Sequence, residues 1–113
     1  MTPAAFDKVC RVLPGVTMDH PWDGHDVYKV GGRMFAVYSP GEDTFSFKAS
    51  DIAFEVLTGT GPGKPAPYLA RAKWVWFGSL KDQDADEVEG WLKTAHGLIA
   101  AKLTRKVRAE LGL

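Results

Sequence analysis

The chain of 113 residues contains one cysteine, no long apolar run and no net charge. With Cys10 as its only thiol, it can form no internal disulfide and cannot close a zinc site built on cysteines. No apolar segment approaches the roughly 18 residues that a membrane-spanning helix needs. The first ten residues carry Asp7 and lack the apolar stretch of a secretion signal, so a cytoplasmic protein is expected.

The zero net charge removes the strongly basic character that is typical of nucleic-acid-binding domains. The charges are nevertheless spread unevenly along the chain. Residues 1–27 and 82–101 carry net charges of −2 and −4, whereas residues 28–81 and 102–113 each carry +3. A folded chain with such segments can still present one basic face.

Apolar and aromatic residues are plentiful by comparison. Hydrophobic residues make up 45% of the chain and include four Trp, six Phe and three Tyr. A chain of this length can bury roughly two-thirds of its unfolded surface, which is enough for a core without disulfide bonds. One folded domain over residues 1–113 is therefore expected, and disorder is not.

Two helices are predicted in the first half of the chain. The first lies between Thr-Pro at residues 2–3, which suits a helix start, and Pro-Gly at residues 14–15, which stops one. Its apolar residues fall at helical spacing. Ser50 can cap a second helix over residues 51–59.

A third helix is predicted at the C-terminus, beginning after Asp82 or Asp84. Its apolar stripe consists of Val88, Trp91, Leu92, Ala95, Leu98, Ile99 and Leu103. Acidic residues open it and basic residues close it, namely Lys102, Arg105, Lys106 and Arg108. The helix dipole favours this order of charges, which would explain them without a ligand.

The strongest strand signal is an antiparallel meander. Residues 27–30 and 34–39 are rich in aromatic and β-branched residues and flank Gly31–Gly32, a pair that suits a tight hairpin turn. Residues 44–48, TFSFK, alternate as a third strand.

The rest of the chain adds one strand and two irregular segments. "KWVWFGSL" at residues 73–80 is the last strand, and "GTGPGKPAP" at residues 59–67 is predicted to be only a loop. Residues 16–26 are a loop or a short irregular strand. The fold class is therefore α+β, an antiparallel sheet of a three-strand meander and a later strand, with the N-terminal, middle and C-terminal helices on one face.

These segments together resemble a known family. "LPGV", "YKVGGRMFAVYS", "FSFKAS" and "PYLARAKWVWF", followed by an amphipathic C-terminal helix, resemble the MmcQ/YjbR-like family over nearly the whole chain, from Phe6 to Leu103. The sequence departs from the family pattern at Leu69-Ala70-Arg71, where a polar pair is common, and at Trp76, where members tend to have a small polar residue.

The resemblance implies a CyaY-like (frataxin-like) α+β fold and a double-wing DNA-binding motif, in which β-rich wings hold the nucleic acid. It implies no catalytic residue, because most members have no established biochemical role. Function enters only as a hypothesis at this point.

Five cations are the candidate nucleic-acid-binding residues: Lys29, Arg33, Lys48, Arg71 and Lys73. The first three fall on or between the meander strands, and the last two precede the final strand. If those strands lie side by side, the five could form one patch that contacts phosphates without reading sequence. A merely solvated sheet face is the alternative.

A second interpretation is a protein- or small-ligand-binding module with an aromatic-lined surface, which suits a neutral chain with 12% aromatic residues. An enzyme is the weakest interpretation, because no serine or cysteine lies in a nucleophile setting. Cys10 is expected to be a buried thiol, and His96 a boundary or surface residue.

No cofactor and no metal site are predicted. His20 and His25 lie with Asp23 and Asp26 inside the stretch HPWDGHD, but their spacing matches no established metal motif. The acidic run that opens the C-terminal helix is explained by the helix dipole, which weakens an iron-binding interpretation.

Trp74 and Trp76 pose a question that the sequence leaves open. Alternation in a strand places them on one face, and Val75, Phe77 and Lys73 on the other. If the tryptophans form core, they cannot stack on bases. Lys73, Val75 and Phe77 would then share the open face. We expect this arrangement for Trp74, because large aromatic side chains contribute most when buried.

Overall fold

The computed structural model describes residues 1–113, which form six strands and four helices. In chain order these are α1 (Pro3–Arg11), β1 (Val16–Asp19), β2 (Asp26–Val30), β3 (Arg33–Ser39), β4 (Thr44–Lys48), α2 (Asp51–Gly59), β5 (Lys64–Pro65), β6 (Trp74–Phe77), α3 (Ala85–Ala100) and α4 (Arg105–Glu110). Short 3₁₀ turns at Ala70–Ala72 and Leu80–Asp82 flank β6. None of the helices is long and apolar enough to cross a membrane.

All strands pair in one antiparallel sheet with the order β1-β2-β3-β4-β6-β5. The meander of β2, β3 and β4 is confirmed. Gly31 and Gly32 form its first turn with φ of +58° and +79°, the region that glycine enters without steric cost. The predicted α+β class is confirmed, with a sheet two strands wider than the sequence indicated.

One face of the sheet carries the main core. Alternate strand residues, among them Phe45, Phe47 and Phe77, point towards α3, where Phe77 stacks on Trp91 with ring centroids 5.0 Å apart. Phe45 and Phe77 are nearly parallel at 5.0 Å. Phe6 of α1 completes this layer, so helices and aromatic strand residues bury one another.

The helix starts follow the predicted capping residues. The Thr2 and Ser50 hydroxyls accept from the amides of Ala5 and Ala53 at the starts of α1 and α2. Of the two candidates before α3, Asp84 is the cap, because its carboxylate accepts from the Glu87 amide at 3.0 Å. Local side-chain hydrogen bonds therefore set these boundaries.

Residues 59–67 are not only a loop, as the glycines and prolines suggested. Lys64 and Pro65 pair with Trp76 and Val75 as the edge strand β5. Proline is tolerated there because an edge strand leaves one row of amides unpaired. Gly63 lies so close to Val75 that a Cβ would stand 2.6 Å from its Cγ1, so a glycine permits this approach.

The predicted single C-terminal helix is wrong. α3 ends at Ala100 with no basic residue in its last turn, and Thr104 caps a separate helix, α4. Arg105 and Lys106 therefore lie in the first turn of α4, where the dipole disfavours positive charge. The dipole still suits Lys102, just past the end of α3, and Arg108, in the last turn of α4, but it does not explain Arg105 and Lys106.

Candidate functional site

The strand directions separate two ends of the sheet. β2 and β4 end, and β3 and β6 begin, at the same end, which also receives the C-terminus of α3 because Leu103 packs against Gly31. Antiparallel pairing thus brings the Gly31–Arg33 hairpin, the end of β4 and the turn before β6 side by side.

Three of the five predicted cations meet at this end. The Lys48 ammonium donates a hydrogen bond to the carbonyl of Ala72, which lies between Arg71 and Lys73 in the chain. Burial lowers the pKa of Lys48, and the nearby ammonium groups of Lys102 and Lys73 lower it further. Close like charges of this kind disfavour protonation.

The other two predicted cations differ from each other. Arg33 is exposed at the start of β3, beside the hairpin tip and at the same end as Lys48. Lys29 instead forms an ion pair with Asp19, with Nζ and Oδ2 3.1 Å apart. Asp19, on the neighbouring strand β1, therefore neutralises the charge of Lys29.

The sequence predicted a strand that begins at Lys73, but Lys73 lies just before β6. It ends the 3₁₀ turn with φ of +61°, and its ammonium lies 5.0 Å from the ring centroid of Phe54 on α2. This cation–π contact places it towards the helix side of the sheet. The cations therefore share one end of the sheet and not one face.

The C-terminal segment adds four cations that the sequence analysis had attributed to the helix dipole. α4 lies against the same end, since Leu103 packs on Gly31 and Leu111 packs on Gly15, just before β1. We call the set of eight cations collected here the basic end: Arg33, Lys48, Arg71, Lys73, Lys102, Arg105, Lys106 and Arg108. The net charge of +3 over residues 102–113 was the sequence signal for the last four.

The opposite end of the sheet is mainly acidic. The β1–β2 loop, the β3–β4 turn and the segment before α3 meet there and contribute Asp23, Glu42, Asp43, Asp82 and Asp84. Asp43 accepts hydrogen bonds from the Tyr38 hydroxyl and the Lys81 amide, which lower its pKa. The folded chain is neutral overall but has one mainly positive end and one mainly negative end.

The sheet face away from the helices holds a second candidate site, an open cavity of about 480 Å³. Its floor follows one row of the sheet, Val37, Ser46 and Trp76, which pair across β3, β4 and β6. The TFSFK alternation of β4 creates the depth, because its phenylalanines point to the helices and Thr44 and Ser46 point into the cavity.

Two loops form the walls of this cavity, which we call the open-face pocket. Trp22 and His25 come from the β1–β2 loop, and Tyr68 and Leu69 from the segment before the 3₁₀ turn. Trp22 is half exposed, and Tyr68 is fully exposed with φ of +65°. The lining contains one carboxylate, Glu42, and no lysine or arginine.

The two tryptophans of β6 point to this face and not to the main core. Val75 and Phe77 take the helix side, so the expected arrangement, with these two residues on the open face, is wrong. Trp74 is buried as expected, but in a small separate cluster with Val27, Val37 and Ala66. Trp76 is only half-buried and lines the open-face pocket.

The histidines and the thiol have other partners. His20 pairs with Asp26 at 2.8 Å, whereas His25 Nδ1 lies 2.7 Å from the Ser39 hydroxyl, so the HPWDGHD stretch does not converge on one point. His96 is buried, not at the surface as predicted, with Nε2 2.8 Å from the Pro14 carbonyl. Cys10 is buried as expected, and burial raises the pKa of its thiol strongly.

Known proteins agree with this architecture. The crystal structure of Deinococcus radiodurans protein DR2400, described as carrying the domain DUF419, superposes with a TM-score of 0.82 at 28% identity, covering 94% of this chain and 84% of that one. No curated protein matches the chain. The YjbR family matches residues 11–98; it is a family of uncharacterised function and not a known enzyme family. With more than three quarters of its length in that match, the chain belongs to the YjbR family.

Proposed function

We propose that this domain is a non-enzymatic module that binds nucleic acid through its basic end. The observation that carries the proposal is the basic end itself. Four separate segments of an electrically neutral chain bring eight cations together there, with the carboxylate of Asp51 near Lys48. Phosphates along a nucleic-acid backbone are the natural partner of such a surface.

Contacts within the protein account for only part of this concentration. Lys48 donates to the Ala72 carbonyl, and Lys73 lies over the ring of Phe54. Burial lowers the pKa of Lys48 most, Lys102 and Lys73 lower it further, and Asp51 opposes them. Arg105 and Lys106 stand in the first turn of α4, against the helix dipole. Cations that disfavour the folded state locally are best explained by an anionic partner.

The hairpin supports the same proposal. The Gly31–Gly32 turn projects at the basic end and places the exposed Arg33 beside its tip. This is the arrangement that the double-wing resemblance leads one to expect of a DNA-binding member. Contacts of this kind hold the phosphate backbone and carry no base sequence, so we propose DNA binding without strong sequence preference.

The environments of Cys10 and His96 are compatible with a binding role. The Cys10 thiol is buried with a raised pKa, which disfavours the nucleophilic thiolate. His96 is buried against the ring of Phe35 and the carbonyl of Pro14. Neither side chain is placed to meet a substrate.

A salt titration of binding to duplex DNA tests the proposal. Log affinity falls linearly with log salt when phosphate contacts release counterions. We expect Arg33→Glu and Arg105→Glu each to flatten the slope by about one unit. The matched control is Lys81→Glu, which makes the same change in net charge at the acidic end and is expected to leave the slope unchanged.

Two outcomes would contradict the proposal. One is the lack of binding at micromolar protein and low salt. The other is an equal effect of Lys81→Glu and Arg33→Glu, which would mean that only total charge matters and that the basic end has no special place.

A further inference from the structure

We infer that the open-face pocket binds a planar nitrogen heteroaromatic molecule that carries a positive charge and no phosphate. The inference is independent of nucleic-acid binding, because the pocket and the basic end share none of their charged residues. It rests on the shape, the walls and the charge of the pocket.

The shape suits a small organic ligand. A cavity of about 480 Å³ falls within the range of roughly 300–1,000 Å³ that small-molecule sites occupy. Ser46 leaves the floor low between Val37 and Trp76, so a flat ring system can lie on the sheet. The phenylalanines of β4 cannot fill the space, because they point to the helices.

The walls suit an aromatic ligand. Trp22, Tyr68 and Trp76 line the cavity; Trp22 is half exposed with the His25 ring 6.2 Å away, and Tyr68 is fully exposed. Tyr68 also adopts a left-handed backbone, which is uncommon for a bulky residue and often marks a binding site. Aromatic side chains around a hollow bind planar rings and cations well.

The charged residues of the pocket favour a positively charged ligand. Glu42 is the one carboxylate in its lining, and no lysine or arginine lines it. The hydroxyls of Thr44 and Ser46 can accept hydrogen bonds from a ligand N–H, whereas the Ser39 hydroxyl already pairs with His25 Nδ1. A phosphate or carboxylate would meet no cation here, whereas an ammonium group would meet Glu42 and aromatic faces.

Two probes with one ring system and opposite charges test the inference. Tryptamine presents an indole and an ammonium group, and indole-3-acetate presents the same indole with a carboxylate. We expect saturable binding of tryptamine with a Kd of about 1 mM or below, as for other molecules of this size. We expect indole-3-acetate to bind at least about tenfold more weakly. Titration calorimetry or amide chemical shifts measure both.

Three variants locate the binding. Trp22→Ala and Ser46→Leu are expected to weaken tryptamine binding at least about tenfold, the first by removing a wall and the second by filling the floor. Glu42→Gln is expected to reduce the difference between the two probes to about twofold. Val56→Ala is the control, because it removes an exposed apolar side chain from α2, on the other side of the sheet.

The inference is overturned if neither probe saturates, if both bind equally, or if Trp22→Ala leaves tryptamine binding unchanged. Trp22 lies in an exposed loop, so this variant is expected to fold even if Ser46→Leu does not. A loss of binding to Val56→Ala as large as that to Trp22→Ala would also contradict it.

Discussion

The two faces of the sheet are built from the same strands but have opposite contents. The helix-covered face stacks Phe45, Phe47 and Phe77 against Trp91 in a continuous aromatic core. The open face has a small cluster around Trp74 and an unfilled hollow beside Trp76. The helix-covered face therefore holds most of the core, and the open face holds a smaller buried cluster beside a cavity.

The two ends of the sheet differ in the same way. At one end the β3–β4 turn is fastened by hydrogen bonds from the Tyr38 hydroxyl and the Lys81 amide to Asp43. At the other end cations accumulate, and the structure provides them with few partners. Asp43 and Asp84 at the acidic end hold local structure through hydrogen bonds, whereas Arg33 and the cations of α4 at the basic end form no ion pair.

The largest expected loss of stability distinguishes a residue on the helix-covered face from its neighbour on the open face. Phe77→Ala removes a fully buried ring from the main core and should lower the free energy of unfolding by about 3–5 kcal/mol. Its neighbour Trp76 is half-buried in the open-face pocket, so Trp76→Ala should lower it by about 1–2 kcal/mol only. Urea unfolding of both variants measures the difference. Equal losses would mean that the open face also belongs to the core.

A smaller effect tests the link between the hairpin and the C-terminal segment. In Gly31→Ala the new Cβ would stand 2.7 Å from Leu103 Cδ1 at a positive φ, and we expect a loss of about 2–3 kcal/mol. Gly32→Ala shares the positive φ but meets no atom within 4 Å, so a loss of about 1 kcal/mol is expected. Thermal unfolding compares the two. Identical losses would show that the hairpin does not press on Leu103.

Asp43 gives a pH-dependent effect. The Tyr38 hydroxyl and the Lys81 amide lower its pKa from 3.8, so the carboxylate stabilises the fold above that pH, and this stabilisation is lost as the pH falls through the lower folded value. Asp43→Asn should cost about 1–2 kcal/mol at pH 7 and nothing further in acid. Unfolding followed from pH 7 to pH 2 checks this. A variant curve parallel to the parent curve would contradict the assignment.

The smallest stability effect is expected at the basic end. Arg33→Glu and Arg105→Glu should change the free energy of unfolding by about 0.5 kcal/mol or less, because both side chains are exposed and form no ion pair. Chemical denaturation measures the change. A loss of more than about 1 kcal/mol would mean that these cations hold the fold together and are not reserved for a partner.

Much of this fold was predictable because its signals are local. Caps at Thr2 and Ser50 and the Gly31–Gly32 turn act within a few residues, and the structure confirms each. β5 was missed because its pairing with β6 depends on Gly63 approaching Val75. The break before α4 was missed because the apolar stripe continues to Leu103, which packs on the distant Gly31.

The candidate sites were less predictable because they depend on assembly. Alternation along TFSFK predicted which β4 residues leave the core, but not that loops carrying Trp22 and Tyr68 would wall the space above them. The five cations were chosen from their charge and their predicted place on or near the strands, and only the structure shows that Lys29 is paired with Asp19. The C-terminal cations were set aside because a dipole effect was attributed to a helix that ends before them.

The proposal that DNA binds at the basic end can be tested by mapping amide chemical shifts during a titration with short duplex DNA, because the shifts report where the nucleic acid binds. We expect salt-sensitive shifts confined to the hairpin at residues 31–33, the turn at residues 71–73 and residues 102–108. Amides of residues 41–43 and 81–87, at the acidic end, should not move. Shifts centred on the acidic end, or none at low salt with micromolar protein, would contradict the assignment of the basic end as the nucleic-acid-binding surface.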